Sequence, residues 1–132
     1  VTKKILVADD NQVSRELIRE VLEDSSQKVL EAENGEEAIE KIVSENPDIV
    51  LLDIQMPIFD GYEVLRRVRS DPRFREIQFV ALTAYAMKED REKALASGFN
   101  AYVTKPIDGA SLRIRIKQML YASRDGPSRF NE

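Results

Sequence analysis

The stretch IVLLDIQMPIFDG, residues 49–61, decides the fold. Four aliphatic residues in a row, without polar alternation, read as a strand covered on both faces, the habit of parallel sheets. A carboxylate, Asp53, closes the run. Pro57 and the pair Asp60-Gly61 then mark a turn into a helix. Ligands of open α/β sheets bind at the carboxyl ends of the strands, so the carboxylate stands where chemistry is expected.

Similar short apolar runs occupy residues 5–8 and 79–82, with weaker strand signals at 29–32 and 101–103. Helical stripes lie between and after them: Leu17, Ile18, Val21, Leu22; Ala38, Ile39, Ile42, Val43; Val64, Leu65, Val68; a weak stripe from Met87 to Leu95; and Leu112, Ile116, Met119, Leu120. Five strands alternating with five helices predict an α/β chain in the doubly wound (βα)5 class, because right-handed crossovers pack helices on both faces of a parallel sheet. Asn34-Gly35, Asn46-Pro47, Ser97-Gly98 and Asp108-Gly109 punctuate the pattern where helices should begin or end. Residues 1–121 are expected to form one domain. Residues 122–132, where periodicity is lost, are expected to be a flexible tail or the start of a linker.

With 42% hydrophobic and 33% charged residues in 132, the composition is that of a globular domain. No apolar run is long enough to span a bilayer, and the run at residues 5–8 is too short for a signal-peptide core, so a cytoplasmic, membrane-free location is expected. The absence of cysteine rules out disulfides and thiolate metal sites. The absence of histidine rules out imidazole-bound zinc, Ser-His catalysis and any phosphohistidine on this chain. A net charge of −4 disfavours direct nucleic-acid binding.

At the expected strand ends stand Asp9 and Asp10, Asp53, Thr83, and the run Thr104-Lys105-Pro106. Carboxylates brought together repel one another unless a cation neutralises them. Hard oxygen donors without His or Cys suit Mg²⁺, which keeps several waters and takes phosphate oxygens readily. A carboxylate is also a nucleophile able to form an aspartyl-phosphate, for which Lys105 would supply positive charge and Thr83 a hydrogen-bond donor. Singly, each residue has a commonplace reading. Asp9 or Asp10 could cap the first helix, Thr83 the fourth, Asp53 could be a turn residue and Lys105 a solvated lysine. Their placement after four separate strands favours a shared site with Asp53 as phosphoacceptor.

The motifs VADDN (7–11), LLDIQMPIFDG (51–61), LTAYA (82–86) and AYVTKP (101–106), in this order over about residues 3–121, resemble the receiver domain of two-component response regulators, the CheY-like family. The resemblance implies a five-stranded parallel sheet of order 2-1-3-4-5. It implies a signalling switch rather than a turnover enzyme, with its own phosphorylation and dephosphorylation chemistry. Asp53 would accept a phosphoryl group from a phosphohistidine on a histidine kinase or histidine phosphotransfer protein. Asp9, Asp10, Asp53 and the backbone carbonyl of Gln55 would bind Mg²⁺. Thr83 and Tyr102 would form the switch pair, and Lys105, before a cis peptide bond to Pro106, would hold the phosphoryl oxygens. The readout would be the face of helix 4, strand 5 and helix 5, met by a downstream protein or output domain, in a monomer or a phosphorylation-dependent homodimer.

On helix 5, Ile114 and Tyr121 fall opposite the apolar stripe and are expected to be exposed as part of a docking face. Gln55 and Tyr85, two residues after Asp53 and Thr83, are expected to flank the phosphoryl group, with Tyr85 shielding it from water. An alternative is a receiver excised from a hybrid histidine kinase or a phosphorelay. An Asp-nucleophile phosphatase of the haloacid dehalogenase kind would usually carry Asp, not Gln, at position 55. A flavodoxin-like cofactor binder would want a phosphate loop where Asp9 and Asp10 stand. A receiver-like docking module would not need the full set of site residues.

Overall fold

The computed structural model describes residues 2–121; the expected tail at 122–132 lies outside them. The elements run β1 (Lys3–Ala8), α1 (Gln12–Leu22), β2 (Gln27–Ala32), α2 (Gly35–Glu45), β3 (Ile49–Asp53), α3 (Gly61–Arg69), a 3-10 turn (Pro72–Phe74), β4 (Gln78–Thr83), α4 (Lys88–Ala96), β5 (Ala101–Thr104) and α5 (Gly109–Tyr121). All five strands are parallel, in the order β2-β1-β3-β4-β5. The order reverses at β1, so the ends of β1 and β3 flank the crevice where such sheets bind ligands.

The unbroken apolar runs follow from burial on both sides. In β1, Leu6 and Ala8 face the cluster built with α2, α3 and α4, while Ile5 and Val7 face the cluster built with α1 and α5. In β3, Val50 and Leu52 divide from Ile49 and Leu51 in the same way. Each fully buried aliphatic side chain contributes about 1.5–3 kcal/mol of transfer free energy. A one-residue slip of β1 or β3 would exchange the two clusters' occupants, which fixes the register.

Polar caps start α1, α2, α3 and α5. Asn11, Asn34 and Asp60 accept from the backbone N–H groups of Ser14, Glu37 and Glu63, and Asp108 accepts from Ala110 and Ser111. Each cap contributes about 1 kcal/mol. The cap of α1 is therefore Asn11, and neither Asp9 nor Asp10 is spent on it. Likewise α4 has Met87 as its cap residue and no side-chain cap bond, which leaves Thr83 free of that task. Gly61 starts α3 hard against the end of β3: a Cβ there would lie 2.8 Å from the Asp53 carbonyl oxygen. Its N–H donates to the Ile54 carbonyl at 2.8 Å.

Three helical stripes differ from expectation. Leu17 and Val43 stand 40% and 50% exposed, because α1 turns Arg15, Ile18 and Leu22 inward and α2 turns Gly35, Ala38 and Ile42 inward. In α4 Ala94 is the buried residue, while Met87 and Leu95 are exposed. Ile114 and Tyr121 are exposed, as expected, opposite the buried Leu112, Ile116 and Met119.

Candidate functional site

The carboxyl ends of β1, β3, β4 and β5 bring Asp9, Asp10, Asp53, Thr83 and Lys105 to one rim. Asp9 is fully buried, Asp53 and Thr83 are nearly so, and Asp10 is exposed. Carboxylate oxygens of Asp9, Asp10 and Asp53 all lie within 4.8 Å of one another. Lys105 crosses from the loop after β5 and places its Nζ 2.9 Å from Asp53 Oδ2 and 2.7 Å from Asp9 Oδ2. The contact to Asp53 is an aligned hydrogen bond. The contact to Asp9 Oδ2 is an ion pair off the hydrogen-bond direction, which leaves that buried oxygen without an aligned donor. The peptide bond joining Lys105 to Pro106 is cis.

Asp53 is held at both oxygens: Oδ1 accepts from the Gln55 N–H at 2.8 Å, and Oδ2 from Lys105. Burial pushes its carboxyl above the ordinary range, and the Asp9 charge adds to the rise, while the Gln55 N–H and Lys105 oppose it. For Lys105 burial acts to lower the ammonium pKa, but its hydrogen bond to Asp53 and its ion pairs with Asp53 and Asp9 outweigh it and the net shift is upward. One ammonium thus stays protonated between two carboxylates. Three carboxylates against one ammonium leave an excess of negative charge. The hard oxygen donors, the surplus charge and the unaligned Asp9 Oδ2 fit a divalent cation, which Asp9, Asp10 and Asp53 together could hold.

The side of the rim facing α4 is built around Tyr85. Its N–H donates to Thr83 Oγ1 at 3.1 Å, its hydroxyl accepts from Gln55 Nε2 at 2.8 Å, and its carbonyl accepts from the Tyr102 hydroxyl. Tyr102 is 8% exposed, and burial raises its phenol pKa. Asp10, Gln55, Thr83, Tyr85 and Tyr102 line a crevice of about 550 Å³ beside the carboxylates. The expected site residues are therefore brought together, and Gln55 and Tyr85 touch each other as well as flanking the rim.

One charged residue of the surroundings was missed from sequence. Arg15 sits inside α1 and donates to the Asp9 carbonyl. Its signal was present: an arginine on the inner stripe shared with Ile18 and Leu22.

Residues 5–117 match the model of the response regulator receiver domain. An uncharacterised 14.6 kDa protein of Leptolyngbya boryana is 46% identical over 114 residues, covering 86% of this chain and 86% of its own. The polar-differentiation response regulator DivK of Brucella ovis is 36% identical over 107 residues, 81% of this chain and 87% of its own. The structure of a CheY-like receiver domain protein from Methanospirillum hungatei superposes with a TM-score of 0.81 at 28% identity, covering 91% of this chain and 94% of that one.

Proposed function

Because the chain belongs to the response regulator receiver domain family, whose members signal between histidine kinases and downstream targets, we propose that Asp53 is its phosphoacceptor and that phosphorylation switches its α4-β5-α5 face. The observation that carries the reading is the single Lys105 ammonium shared by the buried Asp53 and Asp9 carboxylates.

In the proposed transfer a carboxylate oxygen of Asp53 attacks the phosphorus of a phosphohistidine on a partner. The P–N bond breaks, and the electron pair leaves with the imidazole nitrogen. A new P–O bond makes the aspartyl-phosphate. Hydrolysis reverses the state: water attacks phosphorus, the acyl-phosphate P–O bond breaks, and the carboxylate and inorganic phosphate remain. Mg²⁺, held by Asp9, Asp10, Asp53 and the Gln55 carbonyl, would neutralise charge on the phosphoryl oxygens. Lys105 releases Asp53 Oδ2 and follows the transferred oxygens, supplying charge that cannot relax away. Thr83, whose Oγ1 accepts from Tyr85 in this state, turns its hydroxyl proton toward the phosphoryl group.

The switch follows from added charge. A phosphoryl group brings about −1.5 to −2 charges and strong acceptors to a rim with a waiting donor and cation. When Thr83 moves, the Thr83–Tyr85–Tyr102 contacts must rearrange, because Tyr85 bonds to both. Tyr102 moves into the space that Thr83 vacates. Ile114 and Tyr121, exposed on α5, then form part of the surface that a downstream protein, an output domain or a second copy reads. An equivalent role as a receiver of a hybrid kinase or phosphorelay uses the same site.

Incubation with Mg²⁺ and acetyl phosphate, followed by intact mass, tests the reading. A single labile phosphoryl adduct that requires Mg²⁺ and is lost in Asp53→Asn is expected. An adduct that persists in the variant would place the acceptor elsewhere.

A further inference from the structure

Arg15 occupies the position on α1 where an apolar residue would complete the inner stripe with Ile18 and Leu22. A guanidinium is costly to bury unless its donors are used. Here Nη1 donates to the Asp9 carbonyl at 2.8 Å, Nε donates to Glu31 Oε1 at 3.0 Å, and Nη2 stands 3.9 Å from Glu33 Oε2. Glu31 in turn accepts from Arg19 Nε at 2.8 Å, Arg19 pairs with Glu23, and Glu23 accepts from the Val29 N–H at 3.0 Å. A continuous run of charged bonds thus leads from the site along the seam between α1 and β2.

Its end at Asp9 is the informative one. The carbonyl that Arg15 holds belongs to the planar peptide linking Asp9 to Asp10. Fixing that oxygen fixes the plane from which Asp10 departs. The Asp9 N–H to Ala32 O bond of 3.0 Å and the Asn11 N–H to Asp9 Oδ1 bond of 2.9 Å fix the other two groups of the same turn. We propose that Arg15 is a positioning residue: anchored on Glu31, it holds the Asp9–Asp10 peptide so that both carboxylates present themselves to one divalent cation. This rests on the reading of the rim as a Mg²⁺ site. Arg15 itself touches neither cation nor phosphoryl group.

Two physical effects of Arg15 have opposite signs, which makes the role testable. As a nearby positive charge it would weaken cation binding; as a support for the ligands it strengthens it. Arg15→Lys keeps the charge and loses the planar fork that spans Asp9 and Glu31. Calorimetric titration with MgCl₂ alone, without phosphodonor, reads the effect directly, and thermal melting in EDTA reads the fold. Arg15→Lys is expected to raise the Mg²⁺ dissociation constant roughly tenfold, the scale on which outer supports of metal ligands act. Glu31→Ala, which frees the guanidinium on its far side, should give a smaller loss of the same sign. Arg19→Met breaks the same charged run without touching Asp9, and should leave Mg²⁺ affinity within about twofold of wild type. An Arg15→Lys protein that binds Mg²⁺ like the wild type, or equal weakening in Arg19→Met, would overturn the proposal while leaving the Mg²⁺ site standing. Failure of the wild type itself to bind Mg²⁺ would overturn the site and, with it, the role of Arg15.

Discussion

The Gln55 amide donates to the Tyr85 hydroxyl at 2.8 Å, joining the residue two places after Asp53 to the residue two places after Thr83. Both side chains line the crevice beside the carboxylate rim. A hydrolytic water needs in-line access to phosphorus. Tyr85→Ala is therefore expected to speed loss of the phosphoryl group roughly threefold to tenfold, the scale of one hydrogen bond of about 1 kcal/mol. Decay of the phosphoprotein mass after donor removal measures it. A rate no faster than wild type would remove Tyr85 from any shielding role.

Lys105 is the cation shared by Asp9 and Asp53, so its charge should matter more to transfer than to folding. Lys105→Met is expected to slow phosphoryl uptake from acetyl phosphate roughly a hundredfold, the scale for removing a preorganised electrostatic partner. Uptake within a few-fold of wild type, followed by mass over time, would contradict the assignment.

The Asp53 carboxyl is raised above its ordinary value of 3.8, chiefly by burial. A group raised by folding adds stability below its unfolded pKa and loses it as pH rises through the folded one. Ionised Asp53 therefore disfavours the metal-free folded state at neutral pH. Asp53→Asn in EDTA should melt above wild type at pH 7. The gap should close as pH falls toward 3.8. Excess Mg²⁺ should reverse it, adding about 2.7 kcal/mol to the wild type at a hundred times the dissociation constant. A gap that widens on acidification would contradict a burial-raised Asp53.

Ile58 has φ of +72° and stands 63% exposed, with the Phe59 N–H donating to the Pro57 carbonyl at 2.9 Å around it. A β-branched residue in that region is strained by about 1–3 kcal/mol. Ile58→Gly relieves the strain against a smaller entropic cost, and a net gain of about 1 kcal/mol is expected. Urea denaturation reads it as a higher midpoint at unchanged slope; an unchanged or lower midpoint would show that the turn is not under strain.

Much of the architecture was legible along the chain because parallel strands buried on both faces cannot alternate with polar residues. The runs at residues 5–8, 49–52 and 79–82 therefore marked the three central strands directly, and the carboxylates, Thr83 and Lys105 stood at the expected ends. The inner faces of helices were less legible. Leu17 lies one residue from Ile18, only about 100° around the helix, and the apolar pattern alone did not exclude it from the core. In the fold α1 turns Arg15, Ile18 and Leu22 inward, which leaves Leu17 at the surface.

The order of residue types along the chain determined the class of fold, the acidic rim and the family resemblance, since each depends on local periodicity and on what stands at a strand's end. Tertiary structure alone decided which groups meet across the rim. The Lys105 bridge to Asp9 and Asp53 spans 96 and 52 residues of sequence, the Gln55–Tyr85 bond spans 30, and the Tyr102–Tyr85 bond spans 17. Hydrogen bonds and ion pairs act over a few ångströms between side chains whose positions are set by sheet order and helix packing. The local pattern at Asp53 encodes its Gln55 N–H partner; Lys105 and Asp9 reach it only through the order in which β1, β3, β4 and β5 lie side by side.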